Sequence, residues 1–232
     1  MGLFLSAWYS RPLLDRALNG MSVHDFDEAL EEVSAFERTL TDDGALIVKF
    51  WLHLGRKGQK NRLEELEADP LQSWRVTPED WENWERYDQF VEAGEHLIAR
   101  TSAGGALWTV LEGADPNYRS LMVGTTLCDR IEQHLDQRRR LKKFLATEPR
   151  RTSTSSIAEL LKPPQTEVEE GEEVDEADTT PRTILSTLDM TQKLSKGKYR
   201  PRHDALQARL AILHREAKRE GIPMVLLFEG WD

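Results

Sequence analysis

Ile222-Pro223-Met224-Val225-Leu226-Leu227-Phe228-Glu229-Gly230-Trp231-Asp232 closes the sequence and decides how the rest is read. Residues 222–228 form a nearly unbroken apolar run, the pattern of a strand whose sheet is covered on both faces. A glycine turn directly after such a strand is how nucleotide folds open a phosphate cradle, because backbone N–H groups can then turn toward an anion. The rest of such a loop would be a further glycine, a lysine and a small residue opening a helix. None of these follows Asp232 in the 232 residues, so the sequence predicts a piece of a phosphoryl-transfer protein without its complete central chemical element.

Upstream of this strand, Leu206, Leu210, Leu213 and Ala217 recur at helical spacing, and Gly221 sits where that helix would stop. Residues 189–232 therefore read as the start of an α/β unit. Residues 147–188 are rich in Ser, Thr and Pro and then acidic, with few large apolar side chains. Such a stretch cannot recover its ordering entropy and is expected to be a disordered linker.

Residues 1–146 alternate strands with helices, which predicts an α/β layer fold with a parallel sheet. Gly2 to Trp8 reads as a short buried strand. Ser22 and Asp25 form a capping box ahead of Phe26, Leu30, Val33, Phe36 and Leu40 on one helical face, and Gly44 ends that helix. Ala45 to Leu54 is a strand covered on both faces, followed by a polar helix from Arg56 to Ala68. Thr77-Pro78-Glu79-Asp80 starts a further helix with Trp81, Trp84, Tyr87, Val91 and Ile98 as its buried face. Ala106 to Leu111 is a strand, and Asp115-Pro116 opens a last helix carrying Leu121, Leu127, Ile131 and Leu135.

Charge and cysteine content bound the function classes. The formal net charge is −10, but eight carboxylates without a base lie between Glu167 and Asp178, so the remainder is close to neutral. The acidity thus says little about partners. The single cysteine, Cys128, cannot form an internal disulfide and reads as a small core residue, which fits a reducing, cytoplasmic setting. No apolar run approaches the roughly 18 residues of a membrane span. Met1 to Ser6 satisfies the myristoylation pattern, although a strand opening with the start residue is the simpler reading.

The candidate chemistry sits after the central strand. Arg56, Lys57, Lys60 and Arg62 cluster there, with Arg75 beyond Asp69-Pro70. A basic helix past a strand's carboxyl end suits a lid over phosphates, since positive charge stabilises anionic oxygens. Glu64, Glu65 and Glu67 interleave with these bases, so an ordinary solvated helix has the same composition. His53 reads as a core histidine, the tryptophans at 81 and 84 as core, and Arg138 to Lys143 as a basic last turn rather than a nucleic-acid surface.

Taken together, these residues resemble the polyphosphate kinase 2 family in its tandem form, the polyphosphate:AMP phosphotransferases. The likeness runs through Trp8-Tyr9 with Arg11 and Leu14, Lys49 to Leu54, Gln59 to Leu63, Asp69 to Arg75 and Tyr87-Asp88. It continues through Arg100-Thr101-Ser102, Trp108-Thr109-Val110 and Glu112 to Asp115, then Lys193 to Lys196 with Tyr199, and Phe228 to Asp232. The resemblance implies a P-loop kinase-like parallel sheet with flanking helices and a helical lid, here incomplete. It also implies inorganic polyphosphate as donor, AMP or ADP as nucleotide partner, and Mg2+. In that scheme Arg56, Lys57, Lys60, Arg62 and Arg75 grip phosphates, Gly230 opens the loop, and Asp232 is the catalytic loop aspartate.

Three departures stand out. Where the family usually reads Phe-Asp-Arg-Ser-Trp-Tyr, this chain has Phe4-Leu5-Ser6-Ala7-Trp8-Tyr9, which removes a carboxylate and an arginine; Leu66 also stands where a second lid arginine is common. Residues 1–146 are therefore expected to be a degenerate first unit, and residues 189–232 the start of a second. The complete protein would convert AMP to ADP, while this chain alone would be inactive. The alternative is a non-catalytic polyphosphate-binding or assembly module, with no nucleic-acid or membrane partner and a possible homo-oligomer. One further expectation concerns topology: helix 203–220 and strand 223–228 fold back to lie between the first strand and the Val48 strand.

Overall fold

The computed structural model describes residues 1–5, 7–102, 105–147 and 183–230. Its elements in chain order are β1 (Gly2–Phe4), α1 (Ser10–Leu18), α2 (Val23–Asp42), β2 (Leu46–His53), α3 (Arg56–Ala68), a 3-10 turn (Ser73–Arg75), α4 (Pro78–Glu85), α5 (Tyr87–Thr101), β3 (Trp108–Glu112), α6 (Pro116–Thr147), α7 (Lys196–Arg219) and β4 (Met224–Gly230). The four strands make one parallel sheet in the order β1-β4-β2-β3.

The last strand therefore occupies a central position. β4 pairs with β2 from Leu46↔Met224 through Val48↔Leu226 to Leu52↔Gly230, and with β1 from Gly2↔Val225 to Phe4↔Leu227. This is the fold-back that the sequence led us to expect. Its cause is legible in the strand: Met224, Leu226 and Leu227 are all buried, and such side chains each contribute about 2 kcal/mol when withdrawn from water.

Strand alternation divides the core into two layers. On one face Ile47, Trp51 and Leu227 pack with Leu13 of α1, Phe26 and Leu30 of α2, and Phe90 and Leu97 of α5. On the other, Val48, Phe50 and Leu226 pack with Leu127, Cys128 and Ile131 of α6 and Leu213 and Ala217 of α7. Cys128 is fully buried, as its helical context implied. Helices α6 and α7 are further joined by Arg209 to Glu132 and Asp129 and by Lys142 to Glu220. Arg139 also pairs with Glu216, but α6 runs on to Thr147, so Arg138 to Lys143 are not the basic last turn that was expected; this stretch is bound to α7 instead.

Helix signals were read well where local chemistry decides them. Ser22 Oγ accepts from Asp25 N at 3.1 Å and donates to Asp25 Oδ2 at 2.7 Å. Thr77 and Asp80 form a second capping box. Gly44 and Gly221 take positive φ where their helices stop.

Several expectations are corrected. The first strand is only three residues long and lies at the sheet edge, where Leu3 and Leu5 are 59% and 75% exposed rather than buried. The helix begun at Pro78 ends at Glu85, the chain turns at Arg86, and α5 carries the burial. Trp81 and Trp84 are consequently half-buried on α4, not core. Phe36 is largely exposed, although it packs edge-on against Trp8. Most of the expected linker lies outside the described residues. Of the remainder, Leu185 is buried in the first core layer and its N–H donates to Glu95 at 3.1 Å.

Inside the apolar layer sits a charged pair. Lys49 of β2 is fully buried, and its Nζ donates to Glu37 Oε2 at 2.8 Å, the carbonyl of Thr101 at 2.9 Å and Tyr9 Oη at 3.0 Å. Trp8 donates to the other Glu37 oxygen, and Trp108 Nε1 donates to Thr101 Oγ1. Burial pushes the Lys49 pKa down and the carboxylate of Glu37 pulls it back, so the ion pair survives only because each partner is satisfied. Lys49→Met should therefore destabilise the fold by about 3–5 kcal/mol in chemical denaturation, by leaving Glu37 charged and unpaired. The double variant Lys49→Met/Glu37→Leu should recover most of that loss. A double variant as unstable as the single one would contradict this account.

Candidate phosphate site at the carboxyl ends of the strands

In a parallel sheet the carboxyl ends of the strands form the usual ligand edge. Gly230 ends β4 there with φ of +121°, opposite Leu52 of β2. A Cβ at this position would lie 2.2 Å from the Leu52 carbonyl oxygen, so the chain can leave the sheet here only without a side chain. Trp231 and the expected catalytic Asp232 lie outside the described residues.

Glu229, immediately before this turn, ties β4 to the β1–α1 connection. Its Oε1 accepts from Ala7 N at 3.2 Å and Ser10 Oγ at 2.8 Å. Burial raises its pKa, and the two donors oppose that shift without cancelling it. Sequence reading placed Glu229 in the loop motif but missed this contact, which depends on a partner more than two hundred residues away.

At the end of β2, His53 is buried, as expected. Its Nε2 lies 3.4 Å from Tyr87 Oη, which itself donates to the Leu54 carbonyl at 3.1 Å. Its Nδ1 has no hydrogen-bond partner among the described residues, so the core histidine is only half satisfied. Burial pushes its pKa down, which keeps the ring neutral. At the end of β3, Glu112 accepts from Ala114 N at 2.7 Å, and Asp115 accepts from Tyr118 N at 2.7 Å. Asn117 of α6 then donates to the Leu194 carbonyl, which docks the approach to α7 beside this turn.

The basic helix begins directly past β2. Gln59, Leu63 and Leu66 face inward on α3, whereas Arg56, Lys57, Lys60 and Arg62 are exposed. Leu66, where the resemblance implied a second arginine, is thus a packing residue. Arg56 pairs with Asp88 at 2.9 Å and lies over the Trp84 ring at 5.2 Å; Lys60 lies over the same ring at 5.7 Å and is 3.7 Å from Glu64. Lys57 and Arg62 have no ion pair among the described residues. Arg75 is exposed on the 3-10 turn, which packs against α3. The fold thus brings Gly230 and the start of α3 to one edge of the sheet, and holds Arg75 on the turn that packs against α3.

Magnesium requires oxygen ligands, commonly one or two carboxylates with water. Leu5 offers none at the end of β1, while Glu229 and Glu112 are occupied by backbone and hydroxyl donors. Among the described residues no group of three or more His, Cys, Asp or Glu converges to hold an ion. The described residues do not fit the magnesium that the resemblance implies.

The sequence profile of Polyphosphate kinase 2 (PPK2) matches residues 1–139, and the chain belongs to that family. It is 36% identical over 231 residues to a polyphosphate:AMP phosphotransferase of Pseudomonas aeruginosa and 37% identical over 232 residues to one of Pseudomonas syringae pv. tomato. Each alignment covers 100% of this chain and 42% of the relative. A GDP-polyphosphate phosphotransferase of Pseudomonas aeruginosa is 29% identical over 115 residues, half of this chain and 32% of its own. The crystal structure of Polyphosphate Kinase 2 from Arthrobacter aurescens TC1 superposes with a TM-score of 0.43 and 26% identity, covering 44% of this chain and 36% of that one. The chain thus spans less than half the length of the two polyphosphate:AMP phosphotransferases it matches.

Two substitutions check this edge. Gly230→Ala should cost about 3 kcal/mol in denaturant unfolding, because both its φ and the Leu52 carbonyl resist a Cβ. Glu229→Gln keeps an oxygen for Ala7 and Ser10 but removes the ionisation. Because the native carboxyl has a raised pKa, the folded state binds the extra proton more tightly. Wild-type stability relative to Glu229→Gln should therefore rise as pH falls through that raised pKa toward the ordinary range near 4.3. Parallel stability–pH curves for the two proteins would contradict it.

Proposed function

We propose that the chain serves polyphosphate-dependent phosphoryl transfer to a nucleotide, with AMP as acceptor and ADP as product in the complete protein. The observation that carries this reading is similarity along the whole chain to two polyphosphate:AMP phosphotransferases. In this reading Arg56, Lys57, Lys60, Arg62 and Arg75 form a phosphate-binding lid, Gly230 opens the P-loop, and Asp232 is the loop aspartate of the complete protein. Residues 1–146 form a degenerate first unit, residues 147–188 a linker and residues 189–232 the start of a second unit. The setting is cytoplasmic, and a homo-oligomer is compatible with the fold. Among the described residues no helix is long and apolar enough to cross a membrane.

A non-catalytic role for the first unit is favoured by one specific feature. The residue after β1 is an exposed leucine, where a carboxylate would be needed to place a cation. The first unit then binds phosphate chains and supports assembly without turning substrate over.

The purified chain should bind end-labelled polyphosphate in a salt-sensitive manner. Lys60→Gln/Arg62→Gln should weaken binding about tenfold, as loss of two phosphate-facing charges implies. With AMP, polyphosphate and Mg2+ it should form no ADP. Polyphosphate-dependent ADP formation would overturn the degenerate assignment, and absence of polyphosphate binding would overturn the phosphate-handling role.

A further inference from the structure

Trp84 is poorly explained as a core residue, because α4 has no buried side chain at all. Its surroundings are instead those of a support. The indole N–H donates to the Arg56 carbonyl at 3.0 Å, which fixes the ring against the first turn of α3. Arg56 and Lys60, one helical turn apart, then lie over that ring at 5.2 Å and 5.7 Å. Both cations remain about half exposed, at 43% and 47%. Trp81 meets Trp84 edge-on at 6.1 Å and backs the platform from within α4.

A free lysine or arginine on a solvated helix samples many rotamers, and a ligand must pay the entropy of ordering them. Cation–π contact with one fixed ring holds two of them together before any anion arrives. Each cation also has a carboxylate close by: Asp88 at 2.9 Å from Arg56 and Glu64 at 3.7 Å from Lys60. Asp88 is 81% exposed, so it is a partner that an incoming anion can displace. Tyr87, whose ring lies 6.0 Å from Arg56, borders the same seat.

We propose that Trp84 is a positioning residue for a polyphosphate-binding seat, holding Arg56 and Lys60 side by side, and that Asp88 competes with the phosphate chain for Arg56. This rests on the reading of α3 as a phosphate lid and adds to it the residues that orient the lid and set its affinity. Trp84 touches no phosphate in this arrangement and acts only through the two cations.

The test uses the whole chain and end-labelled inorganic polyphosphate, with Kd read by fluorescence anisotropy at low and moderate salt. Trp84→Ala should weaken binding about tenfold, the loss of two partly exposed cation–π contacts and their ordering. Trp84→Phe, which keeps an aromatic face and loses the N–H, should stay within about threefold of wild type. Asp88→Asn should tighten binding by about threefold, with a smaller gain at higher salt. Because a role in packing alone cannot raise affinity, the Asp88→Asn result stands even if Trp84→Ala fails to fold. The proposal is overturned if Trp84→Ala binds like wild type, if Trp84→Phe loses as much as Trp84→Ala, or if Asp88→Asn binds no more tightly. A wild-type chain that binds polyphosphate with no loss in Arg56→Gln/Lys60→Gln would overturn the seat and leave Lys57, Arg62 and Arg75 to carry the lid. A wild-type chain that does not bind at all would remove the seat and the lid reading together.

Discussion

β4 carries hydrogen bonds along both of its edges, to β1 on one side and β2 on the other, and the rest of the sheet depends on it. Without it β1 would be a three-residue strand with no neighbour, and β2 would present an open edge in the middle of the molecule. Its side chains serve both layers: Leu227 belongs to the layer under α1, α2 and α5, and Leu226 to the layer under α6 and α7. One segment from the end of the chain therefore closes a sheet whose other strands come from its first half. The same insertion brings Gly230 opposite Leu52 and lets Glu229 reach Ala7 and Ser10.

The Lys49–Glu37 pair gives this arrangement its second constraint. It lies on the face of β2 toward α2, and its hydrogen bonds gather Tyr9, Thr101 and, through Glu37, Trp8. These groups come from the β1–α1 connection, α2, β2 and α5. A buried charge that needs all of its partners makes the relative placement of those elements specific, whereas an apolar layer alone would tolerate sliding. The carboxyl-end edge and the buried pair thus share one connection: the segment that carries Trp8 and Tyr9 also donates from Ala7 and Ser10 to Glu229.

Much of this was legible in the sequence where the signal is local or periodic. β2 was evident from its apolar run, α3 from Arg56 to Ala68 was placed to the residue, and the capping residues Ser22 and Thr77 marked their helices. The central placement of β4 followed from its likeness to a strand that such kinases place in mid-sheet. What failed was the assignment of burial to large apolar residues by type. Trp81 and Trp84 lie on a helix that ends before α5 and packs against α3, while Leu3 lies on an edge strand and Leu5 just beyond it, so neither set finds a second layer to cover it. The contacts of Glu229 and Glu37 join residues distant in sequence, which no spacing rule reaches. The one sign in the sequence was Lys49, a charged residue inside an apolar strand, whereas Glu37 is one of many acidic residues on α2 and does not stand out among them.

The central placement of β4 is tested most directly by amide hydrogen–deuterium exchange of the intact chain. A strand bonded on both edges should exchange only through global opening. The amides of residues 225–229 should therefore be protected to the same degree as those of residues 47–52, and should lose protection with them in the same step as denaturant is added. Exchange of residues 225–229 at the rate of a free peptide, with β2 still protected, would contradict the account.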